Sequence, residues 1–327
     1  MSVNTGMPAP WSRLRLRRTP HLRDLCAETS FTLAHLIQPI FIVEGLGAAE
    51  PITGLDGNAR LGLDEGLETI ARDLDAGVRH FLLFAVPQAS AAPTFGAYAA
   101  EVTAAIKQRF GDRLCLWVDV CLCSSTPDGH CHIGDARGGI DLAPTLTALA
   151  EMAVRVAAAG ADGVSPSDMM DGRTAWLRRA LDEQGHGAVP IMSYSTKFAS
   201  QFYGPFREAA GSAPRHGNRA HYQIDVRSRT DALAASIRCA DEGADLLMVK
   251  PGMTSIDLIA PIHQATGRLV GAYQVSGEYA GLCALGRQGL TNFDAALMET
   301  WQVFRRAGAA YIITYGARQA LRLGVPA

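Results

Sequence analysis

The sequence predicts an α/β chain closed into a (β/α)8 TIM barrel over residues 36–327, preceded by an extended N-terminal arm over residues 1–35. Three observations carry that prediction. Short β-rich runs begin near Pro39, His80, Leu114, Gly163, Pro190, Leu246, Leu269 and Ala310, which makes eight. Helix-length patterns lie between most of them, at Glu65–Ala76, Pro144–Ala159, Thr174–Glu183, Asp231–Glu242 and Asn292–Ala307, and the last four are each closely followed by a glycine that can stop a helix. Polar, reactive residues sit just past the runs: Asp119 to Cys123, Ser165 to Asp168, Ser193 to Lys197, Lys250, Gln274 to Ser276 and Tyr315. A barrel gathers its chemistry at the C-terminal ends of its strands, and eight alternating units match it better than a doubly wound sheet.

Taken in chain order, the arm comes first and lacks the alternation. Its arginine-rich run WSRLRLRRTPHLR reads as a solvated or subunit-contacting segment. After the third run, Cys121 to Pro144 is long, polar and rich in Gly, Asp, Cys and His. After the fifth, Phe202 to Val226 is longer still and reads as an active-site lid. Lys107 falls in the amphipathic pattern AAEVTAAIKQRF and needs no functional role.

Composition excludes several classes. With 327 residues, 48% of them hydrophobic, and a formal net charge of -2, the chain reads as a soluble globular protein with a large core and no nucleic-acid partner. No apolar stretch of signal-peptide length precedes residue 30 and none approaches a membrane span. The seven cysteines therefore read as thiols of a cytoplasmic protein, and the close trio among them points to metal.

The cations are lopsided. Of 30 Lys and Arg residues, only Lys107, Lys197 and Lys250 are lysines. Lys197 and Lys250 each follow an apolar strand-like run, and adjacent barrel strands would bring their amines together. Burial and a second ammonium both lower a lysine pKa, which frees an amine for carbonyl attack. The pair points to Schiff-base chemistry and leaves an aldolase and a dehydratase both open. Cys121, Cys123 and Cys131 form C-x-C, a loop, and a returning Cys, a trigonal thiolate face that suits Zn2+ and leaves its fourth position open. His130, His132 and Asp128 are candidates for that fourth position or for partners of the ligands. Asp119 shares the strand end and can move protons. In the long connection, Arg207 and Arg219 suit a substrate carboxylate, and Gln223, Ser276 and Tyr315 offer neutral hydrogen bonds. A ligand-binding regulator without turnover is the non-enzyme alternative.

Four segments carry a family resemblance: SPSDMMDGR (165–173), SYSTKFASQFYGPFREAAGSAP (193–214), MVKPGM (248–253) and YQVSGEY (273–279). They closely resemble signature segments of the porphobilinogen synthases (5-aminolevulinate dehydratases), and the likeness runs from the arm through Tyr315. The resemblance implies condensation of two 5-aminolevulinates to porphobilinogen, on a (β/α)8 barrel assembled as a homo-oligomer, commonly an octamer. It implies Lys250 as the Schiff-base lysine of the first substrate and Lys197 as that of the second. Asp119, Ser167, Arg207, Arg219 and Gln223 resemble the second-substrate pocket, while Tyr273, Ser276 and Tyr315 resemble the first. The three cysteines match the zinc-type subgroup, and Glu242 resembles an allosteric Mg2+ position. Gly316, Thr254-Ser255, Ser124 and the segment between Pro87 and Tyr98 depart from the family pattern.

Overall fold

The computed structural model describes residues 13–88 and 95–327. The segment between Pro87 and Tyr98, unfamiliar in sequence, falls largely outside the described residues, as do residues 1–12 of the arm. The chain divides into two compact units, Met1–Ser30 and Phe31–Ala327. In the first, a 3-10 turn at Arg13–Arg17 is followed by a helix at Pro20–Leu25. Thr19 caps that helix, its hydroxyl oxygen accepting the Leu22 N–H at 3.2 Å. The second unit starts earlier than the strand pattern suggested, because Phe31 and Leu33 are buried with its core and the Phe31 ring meets Trp301 edge-on.

The second unit is a ring of parallel strands. They are β1 (Leu36–Val43), β2 (His80–Val86), β3 (Cys115–Val120), β4 (Gly163–Pro166), β5 (Met192–Lys197), β6 (Leu246–Lys250), β7 (Leu269–Gln274) and β8 (Ile312–Thr314). Each pairs in parallel with its neighbour, and β8 pairs with β1. A single parallel bridge, Val164 to Ile191, joins β4 to β5 and completes the ring. All eight start within about three residues of where the sequence placed them, as expected for β-rich runs buried on both faces; β1 is buried at every position.

Helices alternate with the strands: α1 (Leu63–Asp75), α2 (Ala97–Phe110), α3 (Leu142–Ala158), α4 (Arg173–Glu183), α5 (Arg229–Asp241), α6 (Ile259–Thr266) and α7 (Phe293–Arg306). The stripe that makes α3 a helix is Leu146, Leu149, Ala153 and Val156, all buried in one cluster with Val118 of β3 and Val164 of β4. Each large aliphatic side chain so buried contributes about 1.5–3 kcal/mol relative to exposure. Lys107 of α2 pairs with Asp162 at 3.0 Å. Among the described residues, no helix is long and apolar enough to cross a membrane.

Four pieces depart from the simple alternation. Two short hairpins, Glu50–Pro51 with Ala59–Leu61 and Ile133–Gly134 with Ile140–Asp141, decorate the loops after β1 and β3. A short helix, Gly204–Ala209, lies within the long β5–α5 connection, and another, Ser276–Arg287, begins directly after β7. The latter makes Ser276 a first-turn helix residue instead of a loop residue.

Candidate active site and metal centre

Lys197 and Lys250 are the last residues of β5 and β6 and face each other in register. Both are buried, at 5% and 4% exposure. The Lys197 amine donates to the Ser167 carbonyl and lies 5.6 Å from the centre of the Tyr194 ring. The Lys250 amine is surrounded by aromatic faces, 4.0 Å from the Tyr273 ring centre, 4.8 Å from Tyr194, 5.0 Å from Phe206 and 5.5 Å from Tyr203. Burial among these rings pushes the Lys250 amine well below the usual lysine range, and repulsion from Lys197 adds to it, while Asp119 and Cys123 oppose. Sequence reasoning found Tyr273 and missed Tyr194, Tyr203 and Phe206. All three lie near Lys197 in the SYSTKFASQFYGPF segment, and only their distance to Lys250 sets them apart from core aromatics.

Asp119, next to last in β3, lines a cavity of about 230 Å³ together with Glu44, Phe84, Tyr98, Cys121 and Ser124. Burial raises its carboxyl to about 6, and the Ser167 side chain, Lys197 and Lys250 hold it from rising further. A carboxyl in that range both takes and gives a proton near neutral pH. Through its carbonyl, Ser167, the residue after β4, reaches the Lys197 amine at the end of β5.

The thiols of Cys121, Cys123 and Cys131 lie within 4.8 Å of one another, all buried, with the Cys121 and Cys123 sulfurs 3.3 Å apart. Continuation of the strand does not bring the first two together. β3 stops at Val120, and a turn begins in which Ser125 and Thr126 N–H both donate to the Leu122 carbonyl. Cys131 returns from the far side of the loop, where the Thr126 hydroxyl donates to the His130 carbonyl at 2.6 Å. Hydrogen bonds from the other two thiols hold Cys131 well below the usual thiol range, and Arg219 adds to the effect. A tetrahedral zinc with sulfur ligands at about 2.3 Å needs sulfurs roughly 3.8 Å apart. The trio fits.

Of the nearby histidines, His130 takes other partners. His130 shares one ring nitrogen with the Tyr222 hydroxyl at 3.2 Å and the other with the His216 carbonyl at 3.1 Å. Asp128 accepts the His130 N–H at 3.0 Å. His132 is buried with neither ring nitrogen hydrogen-bonded among the described residues, and it groups with His130 and His221 as a second set whose ligating atoms lie within 4.8 Å. Tyr222, which also receives the Cys131 N–H at 3.4 Å, was not found from sequence.

Arg219 is buried, and one of its amino groups donates to the carbonyls of Gly129 at 2.9 Å and Ser212 at 2.5 Å. It thus braces the cysteine loop against the β5–α5 connection. Arg207 stands half-buried over the Tyr203 ring at 5.9 Å; burial, then repulsion from Arg219, lowers its pKa. Two guanidinium groups converging here suit an anion. Gln223 is buried with both ends of its amide unpartnered among the described residues. The Tyr273 and Tyr315 hydroxyls meet at 3.3 Å. The Ser276 hydroxyl accepts the Phe206 N–H at 3.1 Å and so ties the helix after β7 to Gly204–Ala209. Glu242, at the end of α5, stands 3.6 Å from Arg238 and has one carboxylate oxygen unpartnered among the described residues. The departure at Gly316 has a packing reason: a β-carbon there would lie 2.7 Å from Leu297 and 3.1 Å from Trp301, which occupy the space. The N–H groups of Met253 and Thr254 both donate to the Glu278 carboxylate.

Comparison with known proteins agrees across the chain. The sequence model of the family described as Delta-aminolevulinic acid dehydratase matches residues 12–323. A delta-aminolevulinic acid dehydratase of Synechococcus elongatus is 40% identical over 316 residues, covering 94% of this chain and 97% of that protein. The chloroplastic enzyme of Glycine max is 42% identical over 316 residues, covering 94% of this chain and 76% of the relative. The crystal structure of the Toxoplasma gondii enzyme, a porphobilinogen synthase in complex with its reaction product porphobilinogen, superposes with a TM-score of 0.90 at 34% identity, covering 97% of this chain and 91% of that one.

Proposed function

This chain belongs to the delta-aminolevulinic acid dehydratase family, and from that premise we propose that it condenses two 5-aminolevulinates into porphobilinogen, an early step of tetrapyrrole biosynthesis, through Schiff bases on Lys250 and Lys197. The observation that carries the chemistry is the pair of buried amines in register at the ends of β5 and β6. Lys250, whose amine is pushed by burial well below the usual lysine range, adds to the ketone of one substrate and expels water to give an iminium. Lys197 does the same with the second. Loss of a proton next to the Lys197 iminium, with Asp119 placed to take it, gives an enamine nucleophile. A carbon–carbon bond and a carbon–nitrogen bond then join the halves. Both lysines leave as free amines, and proton loss makes the ring aromatic, so that two waters have left overall.

The aromatic faces around Lys250 favour a cationic iminium that water would otherwise have to solvate. Arg207, Arg219 and Gln223 are assigned to the carboxylate end of the second substrate, and Tyr273, Ser276 and Tyr315 to the first. A zinc held by Cys121, Cys123 and Cys131 would supply a Lewis acid that lowers the pKa of a group at its open position. The same reading has the arm join copies of the chain into a homo-oligomer, an octamer, in the cytoplasm, with Glu242 taking a magnesium ion at a subunit contact.

Borohydride added with 5-aminolevulinate tests the proposal. A reduced adduct is expected on Lys250, and Lys250→Arg, which keeps the charge but forms no iminium, is expected to abolish porphobilinogen formation. Near-normal turnover by that variant overturns the Schiff-base mechanism. An aldolase would need one essential lysine only, so loss of activity in separate Lys197 and Lys250 variants excludes it.

A further inference from the structure

The segment after β4 contains a buried ion pair that the scheme above does not use. Asp168 and Arg173 are both almost wholly inaccessible, and Arg173 Nε stands 3.6 Å from Asp168 Oδ2. The guanidinium spans two stretches of backbone: Nη1 donates to the Met170 carbonyl at 3.0 Å, and Nη2 donates to the Tyr194 carbonyl of β5 at 3.0 Å. Asp168 Oδ1 accepts the Met170 N–H at 2.7 Å. Between these contacts Met169 adopts a φ of 77°, the one positive φ outside glycine among the described residues. A methionine is unfavourable there and stays only where its surroundings impose the conformation.

An ion pair is a poor way to fill a core, because removing two charges from water costs about as much as their attraction returns. This one instead holds a strained turn, and that turn touches the chemistry. Ser167 anchors it to β3, its N–H donating to the Val120 carbonyl at 3.1 Å. The Ser167 carbonyl receives the Lys197 amine. We propose that Asp168 and Arg173 are positioning residues for Lys197: by locking the turn at Met169 against β5, they fix the Ser167 carbonyl that holds the Lys197 amine beside Asp119. Lys250 is enclosed by aromatic rings, and among the described residues its amine makes no hydrogen bond to this turn. The proposal rests on the Schiff-base reading of Lys197.

The test uses the full chain, with Asp168→Asn and Arg173→Lys compared against wild type. Wild type is first treated with 5-aminolevulinate and borohydride, and the adducts are located by peptide mapping. In each variant, kcat is expected to fall about ten-fold or more with KM within about three-fold, as for a misplaced reacting group. The adduct on Lys197 should drop several-fold while that on Lys250 stays near the wild-type yield. Wild-type adducts with unchanged Lys197 trapping and kcat in a folded variant overturn this proposal alone. Equal loss at both lysines also overturns it, since that is what a general structural role would give. No Lys197 adduct in wild type overturns the Schiff-base reading and this proposal with it. Should neither variant fold, hydrogen exchange on wild type decides: the Ser167 and Met170 amides should be as protected as those of β4 and β5, and rapid exchange there overturns the locked turn.

Discussion

Replacing Lys197 with methionine removes a cation from beside Lys250 and changes little volume, so it isolates the electrostatic coupling of the two amines. Both nitrogens are measured to the same Tyr194 ring centre, at 5.6 and 4.8 Å, so their separation cannot exceed the two distances added together. At that limit, roughly 10 Å, two unit charges at an effective dielectric of about 20 repel by about 1.6 kcal/mol, which is about one pKa unit. A shorter separation gives more. Because the neighbouring cation disfavours protonated Lys250, its removal must raise the Lys250 pKa. Burial, the larger cause of the depression, is untouched, so the pKa should stay below that of a free lysine. The assay is the pH dependence of Lys250 adduct formation with 5-aminolevulinate and borohydride, quantified by peptide mapping. Its midpoint should move about one unit or more to higher pH. A midpoint that stays put or moves down would refute the claim that the two amines repel. The variant also leaves the Ser167 carbonyl without its donor, so its thermal midpoint should fall by an amount corresponding to about 1–3 kcal/mol.

Two further outcomes bear on the metal and the anion. Cys123→Ala should lower both zinc content and turnover, whereas Cys283→Ala, in the helix after β7 and outside the trio, should change neither. Because thiolates must form before zinc binds, zinc affinity should fall as pH drops, and a chelator should inactivate reversibly while most thermal stability remains. Full activity in protein shown by elemental analysis to be zinc-free would falsify the assignment. Arg219→Ala should raise the apparent KM by an amount corresponding to about 1.5–3 kcal/mol, measured by initial rates. It should also weaken zinc binding, since the Arg219 charge favours the Cys131 thiolate. Wild-type values for both would remove Arg219 from the site.

The barrel was legible because its signal is local. Strand runs such as LIQPIFIV and helix stripes such as Leu146, Leu149, Ala153 and Val156 repeat within ten or so residues, and each announces its own burial. The extra helix at Ser276–Arg287 was less so, because YQVSGEY reads through from β7 without a break. Its start is set by Glu278, whose carboxylate accepts the Val275 N–H at 2.8 Å and reaches across to Met253, a contact between distant segments. The lysines and cysteines could be found because each is scarce or oddly spaced. Tyr194, Tyr203 and Phe206 could not be told from core aromatics, since what makes them part of the site is a distance to Lys250 that only the closed barrel sets.

That difference explains why the reactive groups were easier to find than the groups that tune them. An amine, a thiol or a carboxyl announces its chemistry by type. The same amine becomes a nucleophile near neutral pH only through burial and a neighbouring cation, and both depend on which strands end side by side. In this chain β5 and β6 place Lys197 and Lys250 in register, while the β3 turn and the β5–α5 connection bring Cys131 and Arg219 together across 87 intervening positions of sequence. Substitutions at Arg219 should therefore disturb substrate and metal binding together, because a single guanidinium serves both the cysteine loop and the connection that covers the site. If KM and zinc affinity respond independently to conservative changes at Arg219, the two regions are not coupled through it.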